Sequence, residues 1–235
     1  MDQLNVKDQS RGPAPESRRA ARPKVAVDTV LLAVERGRLK TYLVQLRYGP
    51  ARGRWAFPGG LVKTGEMLDE AARRELTAAT NIRDAYLDQL FTFGDPTRDP
   101  HAHVVSVAYM ALIADIRMAG AKDAKYADRQ WFEYPALPAL AYDHQLMADY
   151  ALRRLRARLE YTNIASNLLP ETFAFAELEA LYATILERQI DRRNFRRRIM
   201  SMGILTRLPA TRRGAHRPAA LYRFSQRSPQ VVEML

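Results

Sequence analysis

Cysteine is absent from the 235 residues. That removes disulfide frameworks, thiolate zinc sites and cysteine nucleophiles together. Histidine is scarce, at four in the chain, so a site built on histidine ligands is not expected. No apolar run approaches the ~18 residues that a membrane-spanning helix needs. The opening stretch MDQLNVKDQSRGPAPESRRAARP lacks the apolar core of a secretory signal. The expectation is a cytoplasmic protein with no membrane partner.

What is present is unevenly distributed charge. The formal net charge is +11. Residues 1–23 carry net +2, residues 24–150 are neutral, and residues 151–235 carry net +9 with no lysine among their basic side chains. A neutral block followed by a basic one suggests two modules, the second facing a polyanion. The length agrees with one or two domains.

Residues 1–23 are polar, contain three prolines and read as a disordered basic arm. Arg18, Arg19 and Arg22 in it are candidates for minor-groove contacts or, equally, a tail without a role. Residues 25–34 and 40–46 read as strands joined by a turn at 35–38. Residues 55–57 form a short strand cut off by Pro58-Gly59-Gly60. Leu68, Ala71, Ala72, Leu76 and Ala79 recur at helical spacing and predict a helix over 65–81. Strands are expected at 87–93, 104–116 and 130–134, and a helix at 143–159 ending in arginines. These elements make an α/β domain over 24–160.

The remainder, 161–235, changes character. Three short helices are expected at 163–169, 175–186 and 191–202, then strands at 204–208 and 220–224. Three helices and a basic hairpin form a winged helix-turn-helix pattern.

Two constellations carry chemistry. In the first, five residues separate Gly60 from Glu66, and seven more separate Glu66 from Arg74-Glu75-Leu76. This run resembles the Nudix box, whose members cleave nucleoside diphosphates linked to another moiety through bound Mg²⁺. The resemblance implies a mixed sheet sandwiched by helices, with Glu66 paired to Arg74. The box departs from the family pattern after Glu75: its usual Glu-Glu pair is Ala78-Ala79, and its later glycine is Asn81. A hard cation needs several converging carboxylates, and one is a poor site. The expectation is therefore no catalytic residue, no metal ligand and no required cofactor. Instead the domain would bind a nucleotide through Arg47, Arg54, Trp55, the Gly59 and Gly60 amides, and Glu75, with Phe57 assigned to the core. Alternatives are a Mg²⁺-dependent pyrophosphohydrolase with a basic nucleic-acid-binding appendage, and a scaffold that only dimerises. His101 and His103 read as loop residues.

In the second, Phe195, Ile199 and Met202 form an apolar stripe, while Arg193 and Arg197 share the opposite face with Arg196 beside them. Arg192, Asn194 and Arg198 flank the stripe, and Asp191 is placed as N-cap. Arginine and asparagine are the side chains that read guanine and adenine edges. Arg212, Arg213, His216 and Arg217 lie at wing distance. The expected DNA contacts are Arg192, Arg193, Asn194, Arg196, Arg197 and those four wing residues.

Together the halves resemble the Nudix-related transcriptional regulators of NAD metabolism. The stretches Leu140-Ala-Tyr-Asp-His144, Tyr161-Thr-Asn-Ile-Ala165, Asp191-Arg-Arg-Asn-Phe195 and Arg217-Pro-Ala-Ala-Leu-Tyr-Arg-Phe224 carry the likeness. It implies a homodimeric repressor on a palindromic double-stranded DNA operator near NAD biosynthesis or salvage genes. ADP-ribose or another NAD-derived nucleotide would act as effector and lower DNA affinity.

Overall fold

A computed structural model describes residues 22–118, 123–212 and 218–231. The expected N-terminal arm falls outside them but for Arg22 and Pro23, as do Arg213, His216 and Arg217 of the expected wing.

The organising strand is β1 (Lys24–Glu35), apolar on both faces. Val27, Leu31 and Ala33 enter the core on one side, and Val30 and Leu32 on the other. This is the period-2 alternation of a strand buried between two layers. It turns into β2 (Arg38–Leu46) through Arg36 and Gly37, whose φ angles of 50° and 71° match the two-residue hairpin turn.

The sheet continues with β3 (Trp55–Ala56), β4 (Gly59–Leu61), β5 (Tyr86–Phe93), β6 (Val104–Leu112) and β7 (Tyr126–Glu133). β6 runs parallel to β1, and the other pairings are antiparallel. On its second edge β1 changes partner: residues 26–28 pair with β4 and residues 32–35 with β2. The sheet forks there. Two hydrogen bonds hold the fork, from the Thr29 amide to Pro58 O (2.8 Å) and from Thr41 Oγ1 to Leu31 O (2.8 Å). A fork in a sheet leaves room between its prongs, and the candidate site opens into it.

Helix α1 (Leu68–Thr80) covers one face and α2 (His144–Tyr161) the other, the sandwich expected. α1 starts three residues later than its spacing suggested. Gly65 sits at φ 78°, and Glu66 turns back to accept the Lys63 amide (2.9 Å), so the chain is still in a turn there. Glu70 accepts the Met67 amide (3.2 Å) as the first helical turn begins. Asn81, left-handed at φ 65°, ends it. β6 stops at Leu112, four residues short of expectation, and β7 begins at Tyr126, four residues early, because it pairs with β2 along that length.

In the second half, residues 163–169 do not form a regular α-helix. Only a 3-10 turn, Ile164–Asn167, is present. Its polar side chains serve another purpose. Asn163 Nδ2 donates to Gln226 O (2.9 Å), Asn163 Oδ1 accepts the Gln230 amide (2.6 Å), and Ser166 Oγ donates to Arg227 O (3.0 Å). Such side chains compete with a helical backbone for partners. Then follow β8 (Phe173–Ala174), α3 (Phe175–Leu186), α4 (Arg192–Ser201), β9 (Leu205–Arg212) and β10 (Ala219–Phe224). β10 is central in a three-stranded wing, between β8 and β9. β9 is longer than the 204–208 expected; as an edge strand it tolerates Pro209.

The two halves share one apolar core. It runs from Val30, Leu43 and Met110 through Met147, Leu155 and Leu159 of α2 to Leu181, Tyr182, Phe195 and Tyr222. The arginines at the end of α2 act as staples. Arg154 Nη2 donates to Leu90 O (3.1 Å) and Arg158 pairs with Asp88 (2.9 Å), both on β5. Arg156 donates to Ile185 O (2.8 Å) and pairs with Glu187 (2.8 Å) at the end of α3. Part of the basic charge that suggested a polyanion partner is thus spent within the fold. Among the described residues no helix is long and apolar enough to cross a membrane.

Candidate functional site

The fork encloses a cavity of about 260 Å³, lined by Asp28, Phe57, Gly59, Gly60, Arg98, Lys125 and His144 among others. A second opening of about 370 Å³ adjoins it, and Arg98 and Tyr142 line both. A side chain at either glycine would have to displace a carboxylate of the site. A Cβ on Gly59 would stand 2.0 Å from Asp28 Oδ1, and one on Gly60 would stand 2.4 Å from Glu75 Oε1.

A buried polar network forms the floor. Arg98 grips Asp143 with two hydrogen bonds (Nε to Oδ2, 2.9 Å; Nη2 to Oδ1, 2.6 Å) and lies 3.9 Å from Asp28. Asp28 accepts from Ser106 Oγ (2.6 Å). His144 stacks on Phe57, and its Nδ1 accepts the Phe57 amide (3.0 Å). Burial pushes the His144 imidazole below its ordinary range, against the opposing pull of Asp28, so it stands neutral. The one charged residue inside the apolar run VAVDTVLL, Asp28, was a signal legible in the sequence. Arg98, Asp143 and Lys125 announce themselves by no local pattern.

The box residues assemble as the resemblance implied. Arg74 donates to Glu66 (Nε to Oε1, 2.5 Å; Nη2 to Oε2, 2.8 Å) and to Glu75 (Nη1 to Oε1, 2.5 Å). The Arg74 hydrogen bonds, helped by the Lys63 amide, hold the Glu66 carboxyl at about 2. Glu75 is buried, and its second oxygen accepts from Lys125 Nζ at 2.8 Å. Burial lowers the Lys125 pKa, but Tyr126 and Glu75 together outweigh it and leave the ammonium above its ordinary range. These residues do not fit the divalent cation that a Nudix box implies. Both Glu75 oxygens are already taken by cations, and Ala79, one turn along, is packed in the apolar core. Among the described residues no group of three acidic, histidine or cysteine side chains converges as a metal site.

The six expected nucleotide contacts are not all brought together. Gly59 and Gly60 line the fork cavity, with Glu75 behind Gly60. Arg54 lines the adjoining opening and donates to Leu140 O (2.6 Å). Arg47 donates to Tyr126 O (3.1 Å) at the start of β7. Trp55 packs inward, edge-on to Phe132 at 4.8 Å, as part of the core margin. Phe57 is 1% exposed, in the core as expected.

On the winged helix, α4 has two faces. Phe195 and Ile199 are buried and Met202 half-buried, whereas Arg192, Arg193, Asn194, Arg196, Arg197 and Arg198 are exposed. Asp191 caps the helix, accepting the Asn194 amide (3.1 Å). The exposed residues differ in their engagements. Asn194 Nδ2 donates to Asp191 Oδ2 (2.6 Å), and its Oδ1 accepts from Arg197 Nη2 (2.8 Å). Arg196 lies over the Phe175 ring (4.6 Å) and donates to Tyr222 OH (2.9 Å), holding α4 to the wing. Arg212 pairs with Glu177 (2.7 Å) at the start of α3. Arg207 and Arg223, which the sequence reading did not single out, are exposed on the wing.

An α/β domain with a forked-sheet pocket is thus joined by a shared helix to a winged helix with an arginine-rich outer face. Residues 22–154 match the NUDIX domain family, and residues 165–224 match the NrtR DNA-binding winged helix domain. The chain is 31% identical to the ADPR responsive transcriptional repressor NtrR of Acinetobacter baylyi, over 86% of this chain and 82% of that one. It is 33% identical to an ADP-ribose pyrophosphatase of Methanocaldococcus jannaschii, over 54% of this chain and 73% of that one. Its structure is similar to that of Shewanella oneidensis NrtR complexed with a 27mer DNA, with a TM-score of 0.77, 30% identity, and 86% and 93% of the two chains covered. The NUDIX domain of that same NrtR, complexed with ADP ribose, matches at a TM-score of 0.54 and 30% identity, over 60% of this chain and 93% of that one. The chain belongs to the NrtR family, Nudix-related regulators that carry a winged helix after the Nudix domain.

Proposed function

We propose that this chain is a DNA-binding transcriptional repressor of NAD biosynthesis or salvage genes, relieved by ADP-ribose or a related NAD-derived nucleotide. The observation that carries the reading is α4. Its apolar stripe is buried while Arg192, Arg193 and Arg197 face outward, on a winged helix that matches the NrtR DNA-binding family, and the similar Shewanella oneidensis NrtR is complexed with DNA. One short helix reads few bases, so the protein acts as a homodimer on a palindromic operator in the cytoplasm. Residues 24–160 form the effector domain and 161–235 the DNA-binding domain. Arg192, Arg193, Asn194, Arg197, Arg212 and the wing residues Arg213, His216 and Arg217 contact DNA. Asn194 and Arg212 must exchange an internal partner to do so, and Arg196 acts through packing.

The effector enters at the fork, where Gly59 and Gly60 offer backbone and Arg54 a cation. ADP-ribose supports this reading because the Acinetobacter relative responds to it and the Shewanella NUDIX domain is complexed with it. Hydrolysis is not the function. The Methanocaldococcus relative is a pyrophosphatase, but here Glu75 is committed to Arg74 and Lys125.

Fluorescence anisotropy with a labelled duplex from upstream of NAD-metabolism genes tests the reading, against an unrelated duplex at near-physiological salt. Specific binding that ADP-ribose weakens is expected. Absence of specific binding together with rapid Mg²⁺-dependent ADP-ribose cleavage would replace the repressor by the enzyme.

A further inference from the structure

We propose that the Lys125 ammonium is a built-in cation at the position a divalent metal would serve, binding the diphosphate of the nucleotide and making recognition independent of metal. The inference rests on the nucleotide reading above and names the charge that reading requires.

Four observations carry it. Lys125 reaches Glu75 from fifty residues away in the chain, 2.8 Å from Oε2. Its Nζ also donates to Gly59 O, the carbonyl beside the double glycine. The Tyr126 ring lies under it, 5.4 Å from the ammonium to the centroid. The side chain remains 41% exposed and lines the fork cavity. An ammonium has three N–H donors. Glu75 and Gly59 accept from it and the Tyr126 hydroxyl is a close polar neighbour, while the side chain still borders the cavity, where a diphosphate oxygen can approach the ammonium.

The substitution makes physical sense. A divalent cation of the magnesium type demands octahedral oxygen ligands and retains waters, so it needs a cluster of carboxylates. An ammonium is a compact charge on a flexible stem and needs only one counter-anion to hold it. Glu75 suffices for that. The alanines at 78 and 79 are then consistent with the rest of the site, because no further carboxylate is wanted. Ala79 is wholly buried, and a carboxylate there would lie within the apolar core. Arg74, tied on both sides to Glu66 and Glu75, keeps the Glu75 carboxylate aimed at Lys125.

The test is calorimetry of the full chain with ADP-ribose, once with EDTA and once with excess Mg²⁺, on the wild type and on Lys125→Met and Lys125→Arg. The wild-type Kd should agree between the two buffers within about twofold. Lys125→Met should weaken binding by about tenfold or more in EDTA, the scale of a lost hydrogen bond to a charged group. Lys125→Arg, which keeps the charge, should retain most of the affinity. Mn²⁺ titrated alone into the wild type should show no site in the micromolar range, a readout that does not depend on any variant folding. Metal-dependent wild-type binding, a micromolar Mn²⁺ site, or undiminished binding by a folded Lys125→Met overturns the inference and leaves the nucleotide reading intact. No binding of ADP-ribose, NAD or nicotinamide mononucleotide in either buffer overturns the nucleotide reading and the inference with it.

Discussion

Arg196 and Arg193 sit three residues apart on one helix, both exposed and both cationic, yet their removal should have opposite consequences. Arg196 donates to Tyr222 OH at 2.9 Å, a bond of about 0.5–1.5 kcal/mol net. Its guanidinium lies 4.6 Å above the Phe175 ring, and an exposed cation–π contact adds about 0.5–1 kcal/mol. Arg196→Ala should therefore cost about 1–2.5 kcal/mol of stability, and for a chain of this size lower Tm by about 2–10 °C. Arg193 has no hydrogen bond or ion pair to another described residue, so Arg193→Ala should leave stability within about 0.5 kcal/mol of wild type. On DNA the order reverses. If Arg193 neutralises a phosphate, its loss flattens the plot of log affinity against log salt by about 0.9. If it reads a base edge, it costs about 1–3 kcal/mol for the specific duplex alone. The assay is a thermal melt of each variant followed by anisotropy titrations at three salt concentrations. An Arg196→Ala variant that melts with wild type refutes the packing role assigned here. An Arg193→Ala variant with unchanged affinity and salt slope refutes the assignment of the outer face of α4 to DNA.

Three further outcomes follow from the geometry. Gly60→Ala places a methyl 2.4 Å from Glu75 Oε1 and must push that carboxylate off Arg74 and Lys125; thermal melts should show a loss of about 1–3 kcal/mol, as overpacking does. His144 is held below its unfolded value of 6.5, so the unfolded chain binds more protons and stability falls as pH drops below about 6.5; urea unfolding between pH 8 and pH 5 should show that slope, flattened in His144→Gln. Tyr182 OH is buried without a hydrogen-bond partner among the described residues, so Tyr182→Phe should leave Tm unchanged or raise it; a drop of several degrees in the same melts would mean the hydroxyl has a partner.

Features that depend on neighbours in sequence were legible before the structure. The Asp191 cap and the Arg36-Gly37 turn arise within a few residues, where spacing constrains geometry, and the Glu66–Arg74 pair was implied by the resemblance to the Nudix box. The spans of α3 and α4 follow from apolar periodicity, and the charge asymmetry marked the change between modules. The floor of the pocket was not legible. Asp28 meets Ser106 across 78 residues, Arg98 meets Asp143 across 45, and Lys125 meets Glu75 across 50. Only the pairing of β1 with β6 and the docking of α2 create those encounters. Composition also cannot say which arginines of a basic run are occupied. Arg154, Arg156 and Arg158 look like more of the same positive surface, but their partners are Leu90, Ile185 and Asp88. Trp55 is a similar case: an aromatic beside a glycine loop suggests a stacking platform, until Phe132 is found against it.

The seam between the two halves runs through a helix rather than a loop, because α2 contributes to a core that continues into α3 and the wing. Recombination between modular proteins succeeds where a cut crosses a flexible linker. Here any cut that spares the Nudix sheet strips Leu155 and Leu159 of their cover, and any cut that spares the winged helix takes from Asp88 and Leu90 their arginine partners. Separating the two halves of this chain therefore uncovers apolar surface on α2 or frees its arginines. Grafting this winged helix onto another sensor requires carrying α2 with it and giving the new host a surface that accepts that helix.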